Sequence, residues 1–380
     1  MDAIIPPGSD ADDGLAFRAD APEHPVGSRI TIPVVGIGAS AGGLEAFKDL
    51  VANLPDNTGL AIVFVQHLDP KHRSQLPEIL GRATNIPVLA ATDGMGLEAN
   101  HVYTIPANVD LTIENGKLKL ARRAKVPRTH MPIDRFLRSL ADECGSRAIG
   151  VILSGAGSDG SVGMEAIKAA GGVTFAQDLA SAKFQPMPQA AVATGCVDSI
   201  LTPEGIASEL ARIGQHPYIV DAERTKPELT DGFDEKRFES ILAIVYGATG
   251  IDFSLYRQDM VRRRILRRLA LRGIRGLAEY SKRLENDSAE MRALQKDLLI
   301  SVTSFFRDPA SLELLKRIVF PRIVEGKSPK EAIRIWVAGC ATGEEAYSIA
   351  ILLSEFLHET SSTFQVQIFA SDVRACSRYS

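Results

Sequence analysis

The sequence predicts an α/β fold with a doubly wound, mostly parallel sheet, followed by a small all-α domain and an incomplete Rossmann-like α/β unit. Apolar runs such as "ITIPVVGIG", "GLAIVFVQHL" and "RAIGVILSG" alternate with helical stretches up to residue 214, which is typical of parallel strands covered on both faces. Residues 233–300 show helical periods and no strand pattern. A new strand–loop–helix pattern then begins at "AIRIWVAGC".

The same patterns divide the 380-residue chain into five segments. Residues 1–29 are rich in Asp, Pro and Gly, and we expect a disordered acidic tail there. The α/β domain takes residues 30–214, and a polar, proline-bearing linker takes residues 215–232. The all-α domain then occupies residues 233–300, and the start of a second α/β unit occupies residues 301–380.

One short stretch departs from the parallel pattern of the first domain. In "DLTIENGKLKLARR", Asn115-Gly116 separates two alternating runs. Both residues readily adopt positive φ, as a type I′ turn requires. The stretch therefore predicts an antiparallel hairpin added to the sheet.

Composition excludes several classes of protein. The chain is 45% apolar and 24% charged, with a net charge of −4, which is ordinary for a globular protein and names no partner. No apolar run approaches the roughly 18 residues that span a bilayer, and the N-terminus lacks a secretory signal pattern. The four cysteines form no CxxC pair, so we expect a reducing cytoplasm, no metal and no membrane insertion.

The glycine-rich stretch "GIGASAGG" at residues 36–43 fits two chemistries. Its GxGxxA pattern is a tolerable dinucleotide fingerprint, whereas its GxSxG pattern, centred on Ser40, is a nucleophile elbow. The dinucleotide interpretation needs an acidic residue at the end of the second strand. Gln66 and His67 stand at that place instead, which weakens the case for a cofactor.

A hydrolase needs a nucleophile, a base and an acid that orients the base. Ser40, His67 and Asp159 each follow a predicted parallel strand, and the carboxyl ends of such strands meet at one edge of the sheet. Each residue also has an ordinary alternative as a helix N-cap, a hydrogen-bonded strand end or a turn former. A metal pair of His67 with His72 is disfavoured because the spacing suits no helical or strand face.

A basic helix is predicted in the all-α domain. "YRQDMVRRRILRRLALRGIR" carries eight arginines and one Asp, and its apolar residues form a stripe. The alternatives are a solvated basic face or a docking surface. Nucleic acid is disfavoured as the target because no stacking aromatics are interleaved with the arginines.

Three motifs of the first domain resemble the catalytic domain of chemotaxis receptor methylesterases (CheB-type). They are "VVGIGASAGGLEAF", "VFVQHLDPKHRSQL" and "LSGAGSDGSVGMEAIKAAGGVTFAQD" with "MPQAAVATGCVD". The resemblance implies a cofactor-free triad of Ser40, His67 and Asp159. It also implies hydrolysis of γ-glutamyl methyl esters on receptor helices, and some members deamidate glutamine there.

Two features depart from that family. Ala156 replaces the methionine of the family's "GMG" step, which places local packing in question although the backbone N–H is retained. The family's N-terminal phosphoacceptor domain is not evident in the sequence. We therefore do not expect regulation by aspartyl phosphorylation within this chain.

The second half resembles the chemotaxis receptor methyltransferases (CheR-type) through "LLISVTSFFRDPASLELL", "IRIWVAGCATGEEAYSIAILL" and "IFASD". The resemblance implies an S-adenosylmethionine site and a receptor-docking basic helix. The implied cofactor residues are Arg307, Glu344, Glu345 and Asp372. The implied receptor-binding residues are Arg262, Arg263, Arg267 and Arg268.

The sequence therefore predicts a cytoplasmic protein-glutamate methylesterase joined to the start of a methyltransferase. Its expected partner is the cytoplasmic helical domain of a chemoreceptor or a similar signalling protein. Because only two strands of the second α/β unit are predicted, we expect no S-adenosylmethionine binding by this chain. The alternative is a non-enzymatic signalling module that binds a nucleotide or another ligand in the glycine-rich loop.

Overall fold

The computed structural model describes residues 30–67, 75–123, 130–220, 234–299, 305–328 and 331–372. The predicted tail at residues 1–29, His72 and most of the predicted linker lie outside these ranges. Within the described parts of the chain, no helix combines the length and apolar character that crossing a bilayer requires.

A seven-stranded sheet forms the centre of the first unit, which comprises the described residues up to 220. The nine strands of this unit are β1 (Val34–Ala39), β2 (Ala61–Gln66), β3 (Val88–Ala90), β4 (His101–Thr104), β5 (Val109–Glu114), β6 (Lys117–Arg122), β7 (Ala148–Ile152), β8 (Val173–Gln177) and β9 (Ser199–Leu201). The sheet runs in the order β3-β4-β2-β1-β7-β8-β9. Every neighbouring pair is parallel, which confirms the predicted α/β class.

Helices cover both faces of this sheet. They are α1 (Gly43–Ala52), α2 (Leu76–Leu80), α3 (Pro132–Cys144), α4 (Ser161–Ala169), α5 (Pro186–Ala193), α6 (Pro203–Ile213) and α7 (Pro217–Val220), and a 3₁₀ turn spans Gly145–Arg147. Val35 of β1 and Phe47 of α1 belong to the core on one face. Val34 and Phe136 of α3 belong to the core on the other. Successive residues of a strand point to opposite faces, so the continuous apolar runs fill both cores.

Two glycines of the GIGASAGG stretch lie inside β1 and not in the loop that follows it. A Cβ atom at Gly36 would stand 2.7 Å from Leu137 Cδ2, and one at Gly38 would stand 2.3 Å from Ile133 Cγ2. Helix α3 therefore approaches β1 too closely for any side chain at these positions. Helix packing accounts for these two glycines without a phosphate ligand.

The predicted hairpin is confirmed as the antiparallel pair β5–β6, which forms a separate two-stranded sheet. Asn115 and Gly116 have φ values of 52° and 76°, as a type I′ turn requires. Their N–H groups donate to the Glu143 carboxylate at 3.0 and 3.2 Å. The hairpin is thereby fastened to the end of α3.

The second unit, here called the helical unit, is all-α as predicted. It comprises α8 (Glu235–Thr249), α9 (Gln258–Arg272), α10 (Leu277–Asn286), α11 (Ser288–Leu298) and a 3₁₀ turn at Phe253–Leu255. Asp234 and Asp287 cap α8 and α11 by accepting N–H groups of the first turns. A separate apolar cluster containing Phe238, Val261 and Tyr280 forms its core.

The predicted linker is wrong at its first residues. Tyr218 and Ile219 in α7 are buried in the first unit, and the Tyr218 hydroxyl donates to the Gly171 carbonyl at 3.0 Å. The burial of Tyr218 and Ile219 outweighs the effect of the polar residues around them, because burying each large apolar side chain contributes about 1.5–3 kcal/mol. Residues 217–220 therefore belong to the packed first unit.

The third unit, residues 305–372, is a small α/β piece. It contains α12 (Pro309–Leu314), a π-helical turn (Leu315–Val319), α13 (Phe320–Val324), β10 (Ile333–Ala338), α14 (Glu344–Glu359) and β11 (Val366–Ser371). The two strands pair in parallel. Trp336 and Phe369 on them remain 72% and 55% exposed. Among the described residues, this two-stranded sheet therefore has an uncovered apolar surface.

Candidate active site

The ends of three neighbouring strands bring Ser40, His67 and Asp159 together. Ser40 follows β1, His67 follows β2 and Asp159 lies in the loop after β7. β1 pairs with β2 on one side and with β7 on the other. Since parallel strands lie about 4.8 Å apart, the three loops meet above the centre of the sheet.

The three side chains form a hydrogen-bonded series. Nδ1 of His67 lies 3.2 Å from Oγ of Ser40, and Nε2 lies 2.8 Å from Oδ2 of Asp159. With its hydrogen on Nε2, the neutral imidazole donates to the carboxylate and can accept the Ser40 hydroxyl hydrogen at Nδ1. The His67 side chain is 33% exposed and that of Asp159 is 3% exposed, so the series runs from a solvent-accessible side chain to a buried one.

The first turn of α3 holds Asp159. Its carboxylate accepts the N–H groups of Ile133 at 3.0 Å and Asp134 at 2.9 Å. These donors belong to the positive end of a helix, where a negative charge is stabilised. Asp159 is therefore fixed by main-chain groups and is not a simple turn former.

Asp134 extends this arrangement to the next helix, a role that no motif of the sequence indicated. Its carboxylate accepts the Gly163 N–H at 2.8 Å in the first turn of α4. Burial, together with the charge of Asp159, raises the pKa of the Asp134 carboxyl. Asp134 thus joins the beginnings of α3 and α4 beside the candidate acid.

The loop that carries Ser40 is a tight strand-to-helix turn. Gly42 has φ 72° and is the N-cap of α1, so Ser40 is not the cap that a serine in this place commonly provides. A Cβ at Gly43 would lie 2.4 Å from Cβ of Ala39. The Ser40 N–H donates to the Ser154 carbonyl at 3.1 Å. The turn therefore needs glycines and is fastened to the strand end of β7.

Ser154 is a supporting residue that the sequence analysis missed. Its buried hydroxyl donates to the Ala41 carbonyl and accepts the Phe184 N–H, both at 2.9 Å. Its own N–H donates to Gln177 Oε1 at 2.8 Å. In the sequence, its only distinguishing feature was its place in "LSG" at a strand end. That place does not distinguish a serine that supports a loop from a serine that acts as a nucleophile.

Position 156, where alanine replaces the expected methionine, lies in a loop packed on Ser40. A Cβ at the preceding Gly155 would stand 2.9 Å from Cβ of Ser40 and 2.3 Å from Sδ of Met187. The Gly155 N–H donates to the Phe184 carbonyl at 3.0 Å. The loop is thus held closely against Ser40 by groups other than the side chain at position 156.

A cavity of about 250 Å³ opens beside His67. The described residues that line it are Gln66, His67, Ile105, Pro106, Asn108, Val109, Arg123, His130 and Pro132. His130 Nε2 lies 2.5 Å from Oδ1 of the buried Asp110, whose Oδ2 accepts from Arg135 Nη1 at 2.7 Å. The described residues contain no group of three or more His, Cys, Asp or Glu arranged to hold a metal ion.

The structure places the predicted cofactor residues around the glycine loop of the third unit. Asp372, directly after β11, accepts the Ala341 N–H at 2.9 Å. Glu344 and Glu345 open α14, and Glu344 accepts the Thr342 hydroxyl. An acid at a strand end beside a helix N-terminus suits a nucleoside. These residues fit one side of an S-adenosylmethionine site.

Arg307 lies near the same helix but is exposed. The adjacent Phe306 N–H donates to the Ser348 hydroxyl at 2.9 Å. This bond brings the "FFRD" segment to the first turns of α14.

The prediction that Arg267 and Arg268 lie on an exposed docking face is wrong. Both are buried, Arg267 completely. Arg267 pairs with Asp198 and, at 2.6 Å, with Asp297, and Arg268 pairs with Glu290 at 2.6 Å. Guanidinium groups can be buried when carboxylates satisfy them, and these partners are distant in the sequence.

Two of the four predicted receptor-binding arginines remain accessible. Arg263 is exposed. The Arg262 side chain is 20% exposed and pairs with Glu235 at 2.6 Å. The other sides of α9 contact both the first unit and the core of the helical unit.

Comparison with known families agrees with this arrangement. Residues 35–210 match the CheB methylesterase family model. Residues 236–299 match the all-alpha domain of CheR methyltransferase, and residues 301–377 match its SAM binding domain.

Similar proteins carry one or more of these parts. An uncharacterized 104.1 kDa protein in the hypE 3' region of Rhodobacter capsulatus is 37% identical over 78% of this chain and 33% of its own length. A protein-glutamate methylesterase/protein-glutamine glutaminase 2 of Burkholderia pseudomallei is 36% identical over 53% of this chain and 58% of its own. The chain therefore spans between a third and three fifths of these relatives.

Among solved structures, the CheB methylesterase catalytic domain of Thermotoga maritima is 30% identical. The match covers 48% of this chain and 100% of that one, with a TM-score of 0.45. From its successive matches to three family models, the chain contains a CheB methylesterase domain at residues 35–210, followed by CheR-type all-alpha and SAM-binding domains.

Proposed function

We propose that residues 30–214 are a protein-glutamate methylesterase, a serine hydrolase that cleaves γ-glutamyl methyl esters. The observation that carries the proposal is the hydrogen-bonded series of Ser40, His67 and Asp159 at three adjacent strand ends. The family membership of residues 35–210 supports the same reaction. No cofactor is needed for this chemistry, because the three side chains supply the nucleophile, the base and the orienting acid.

The first half of the reaction forms an acyl-enzyme. Oγ of Ser40 attacks the ester carbonyl carbon while Nδ1 of His67 takes the hydroxyl proton. The tetrahedral intermediate then expels methoxide, which receives that proton and leaves as methanol. Asp159 keeps the hydrogen on Nε2 and stabilises the imidazolium formed between the two steps.

The second half regenerates the serine. Water attacks the acyl carbon while His67 takes one of its protons. His67 then returns that proton to Oγ of Ser40, and the glutamic acid side chain that leaves loses its proton to solvent. Glutamine deamidation would follow the same course, with ammonia leaving in place of methanol. The relative from Burkholderia pseudomallei is named for both activities.

Main-chain N–H groups are the proposed stabilisers of the oxyanion. The loop containing Ala156 lies against Ser40, as the 2.9 Å approach at Gly155 shows. An N–H group from this loop would act whatever side chain it carries, so alanine in place of methionine is compatible with catalysis. Removing one such donor typically costs about 10²–10³ in kcat.

A non-enzymatic ligand-binding role for the glycine-rich loop is the competing proposal. It is disfavoured because Gly36 and Gly38 face α3 inside β1 and cannot line a phosphate site. In addition, Ser40 is hydrogen bonded to a histidine that a binding loop would not need.

We propose that the substrate is the helical cytoplasmic part of a chemoreceptor or a similar signalling protein, and that the chain acts in the cytoplasm. The free thiols of Cys144, Cys196 and Cys340 support a reducing compartment.

Arg262 and Arg263 are the proposed receptor contacts on α9. Replacing Arg263 by glutamate should weaken binding of an acidic receptor helix, and equal binding by wild type and variant at low salt would remove Arg263 from this role.

For the third unit, we propose that S-adenosylmethionine does not bind the 380-residue chain to a measurable extent. Asp372 would hold the ribose hydroxyls, and the N-terminus of α14 would face the nucleoside. The cofactor supplies the methyl group in this family of reactions. The described strands form only one edge of a nucleoside site, and Trp336 beside them is open to solvent.

The test of the esterase proposal uses a methylated receptor helix. Mass spectrometry should show loss of 14 mass units per site, with release of methanol, when the purified chain is added. A fluorophosphonate probe should label Ser40 and should not label the Ser40→Ala variant. Demethylation by Ser40→Ala at the wild-type rate would refute the proposal.

A further inference from the structure

The cavity beside His67 has an unusual charge distribution. Among the described residues that line it, none is acidic, whereas Arg123 and His130 are both basic. Among the described residues, Arg123 has no carboxylate partner. A guanidinium at the wall of a cavity, with no carboxylate of the described residues beside it, is well suited to bind an anion.

The orientation of the His130 ring is fixed by a carboxylate outside the cavity. The buried carboxylate of Asp110 accepts from His130 Nε2, and Arg135 offsets the charge of Asp110 from the other side at 2.7 Å. The ring therefore lines the cavity in a fixed orientation. The negative charge that orients it is 5% exposed and does not line the cavity.

The apolar part of the lining narrows the choice of ligand. Ile105, Pro106, Val109 and Pro132 form the remaining walls together with the amides of Gln66 and Asn108. Such walls suit a short side chain with a charged end better than a fully hydrated ion. A carboxylate on two methylene groups, as in glutamate, matches this composition.

We propose that this cavity is a carboxylate subsite of the methylesterase, which binds an acidic side chain one helical turn away from the methyl ester. The inference rests on the proposed esterase function. His67 contacts Ser40 on one side and lines the cavity on the other, so the two ligand groups are separated by about one imidazole ring. On a substrate helix, side chains at positions i and i+3 or i+4 lie about 5–6 Å apart, which fits that separation.

The subsite would favour methyl esters in acidic segments of a receptor. We expect roughly a three- to tenfold advantage in kcat/KM, which is about 0.7–1.4 kcal/mol at 1.4 kcal/mol per factor of ten. That effect lies between those of a screened surface charge pair and of a charge-assisted hydrogen bond. The advantage should appear mainly in KM, because the contact is made before and during the reaction alike.

The experiment compares helical receptor segments that differ at one position. Each carries one glutamyl methyl ester and either Glu or Gln at four residues before or after it. A third segment carries Glu two residues away, on the opposite face of the helix. The full chain should prefer a one-turn Glu over Gln about three- to tenfold, should show no preference at the two-residue position, and should lose preference as salt is raised.

Substitutions test which residues cause the preference for Glu over Gln. Arg123→Gln should reduce the Glu-to-Gln ratio to near one, and Arg123→Lys should restore part of it. Arg122→Gln is the matched control, because Arg122 is the exposed neighbour that does not line the cavity, and it should keep the ratio of the wild type. His130→Gln should lower the ratio as well, and thermal unfolding of each variant checks its fold.

The outcomes separate the two proposals. Hydrolysis of every ester at equal rates would overturn the carboxylate subsite and leave the esterase standing. A preference that survives both Arg123→Gln and His130→Gln would also overturn the subsite. No hydrolysis of any ester, with no labelling of Ser40, would overturn the esterase itself.

Discussion

Arg267 of α9 and Asp198, which precedes β9, form an ion pair between the helical unit and the first unit, with both side chains shielded from solvent. Lys168 of α4 joins them by pairing with Asp198 and, at 2.9 Å, with Asp297 of the helical unit. Burial opposes the charged carboxylate, but Arg267 and Lys168 outweigh it and lower the pKa of Asp198. The two units are thus held by a network of buried charges.

Removing Arg267 should destabilise the chain strongly. Arg267→Met would leave Asp198 and Asp297 buried with fewer partners, and breaking a buried pair in this way costs about 3–5 kcal/mol. Denaturant unfolding of the full chain measures the change. Arg275→Ala, at an exposed site, is the control and should change the free energy of unfolding by less than about 0.5 kcal/mol. Similar midpoints for the two variants would contradict this account.

Acid should weaken the same network. The pKa values of Asp198 and Glu290 are lowered in the folded chain, because their arginine partners outweigh burial. A lowered pKa contributes stability that is present above the unfolded values of about 4 and is lost as pH falls through the folded values. The free energy of unfolding should therefore decline progressively below about pH 5. In Arg267→Met the decline should be shallower, and an equal slope would argue against Asp198 as a source.

Two substitutions of Asp134 should have different effects on the free energy of unfolding. Asp134→Asn keeps an oxygen for the Gly163 N–H and removes a buried charge, whereas Asp134→Ala leaves that N–H without its acceptor. We expect Asp134→Ala to lose about 1–3 kcal/mol and Asp134→Asn to be at least as stable as the wild type at pH 7.

The stability difference between Asp134→Asn and the wild type should depend on pH. Because the pKa of Asp134 is raised in the folded chain, its ionisation lowers stability as pH rises above the unfolded value of about 3.9. Any advantage of Asp134→Asn over the wild type should therefore shrink as pH falls towards 4. Unfolding curves at pH 4 and pH 7 test this, and an advantage that grows on acidification would refute it.

Ser40 and His67 should behave as one catalytic unit. Each of Ser40→Ala and His67→Ala should reduce methanol release on the order of 10⁴-fold or more, and the double variant should be hardly worse than either single variant. Single-turnover assays on a methylated helix give the rates. Additive losses in the double variant would indicate that the two residues act separately.

The third unit should not bind cofactor in the 380-residue chain. Calorimetric titration with S-adenosylhomocysteine should give no heat of binding at micromolar concentrations, because the described strands provide only one edge of the site. Proteolysis should cut the third unit before the first, since its small apolar cluster leaves Trp336 and Phe369 exposed. Micromolar binding would contradict the first of these expectations.

The sequence predicted the central strands because each of them carried its own signal. β1, β2 and β7 are continuous apolar runs, and their order placed Ser40, His67 and Asp159 at the same edge. Asn115-Gly116 likewise fixed the hairpin. These features depend on residues that are close together in the chain, so pattern and turn chemistry were sufficient.

The helical unit shows what the sequence could not predict. Periodicity treats every arginine of α9 as an exposed charge, but Arg267 is buried because Asp198 and Asp297 reach it from 69 and 30 residues away. The composition of the cavity wall could not be predicted either, since Arg123 and His130 come from segments without a motif. Long-range charge pairing and cavity shape appear only when the tertiary structure is known.

Helix α4 is held at both ends by groups of different units. At its beginning, Gly163 donates to Asp134 beside the candidate acid. At its end, the Arg264 guanidinium donates to the Lys168 and Ala169 carbonyls at 2.6 and 2.8 Å. Nine residues at 1.5 Å each make this helix about 13 Å long. Helix α4 therefore connects α9 of the helical unit to Asp134, whose own N–H group donates to Asp159 at 2.9 Å.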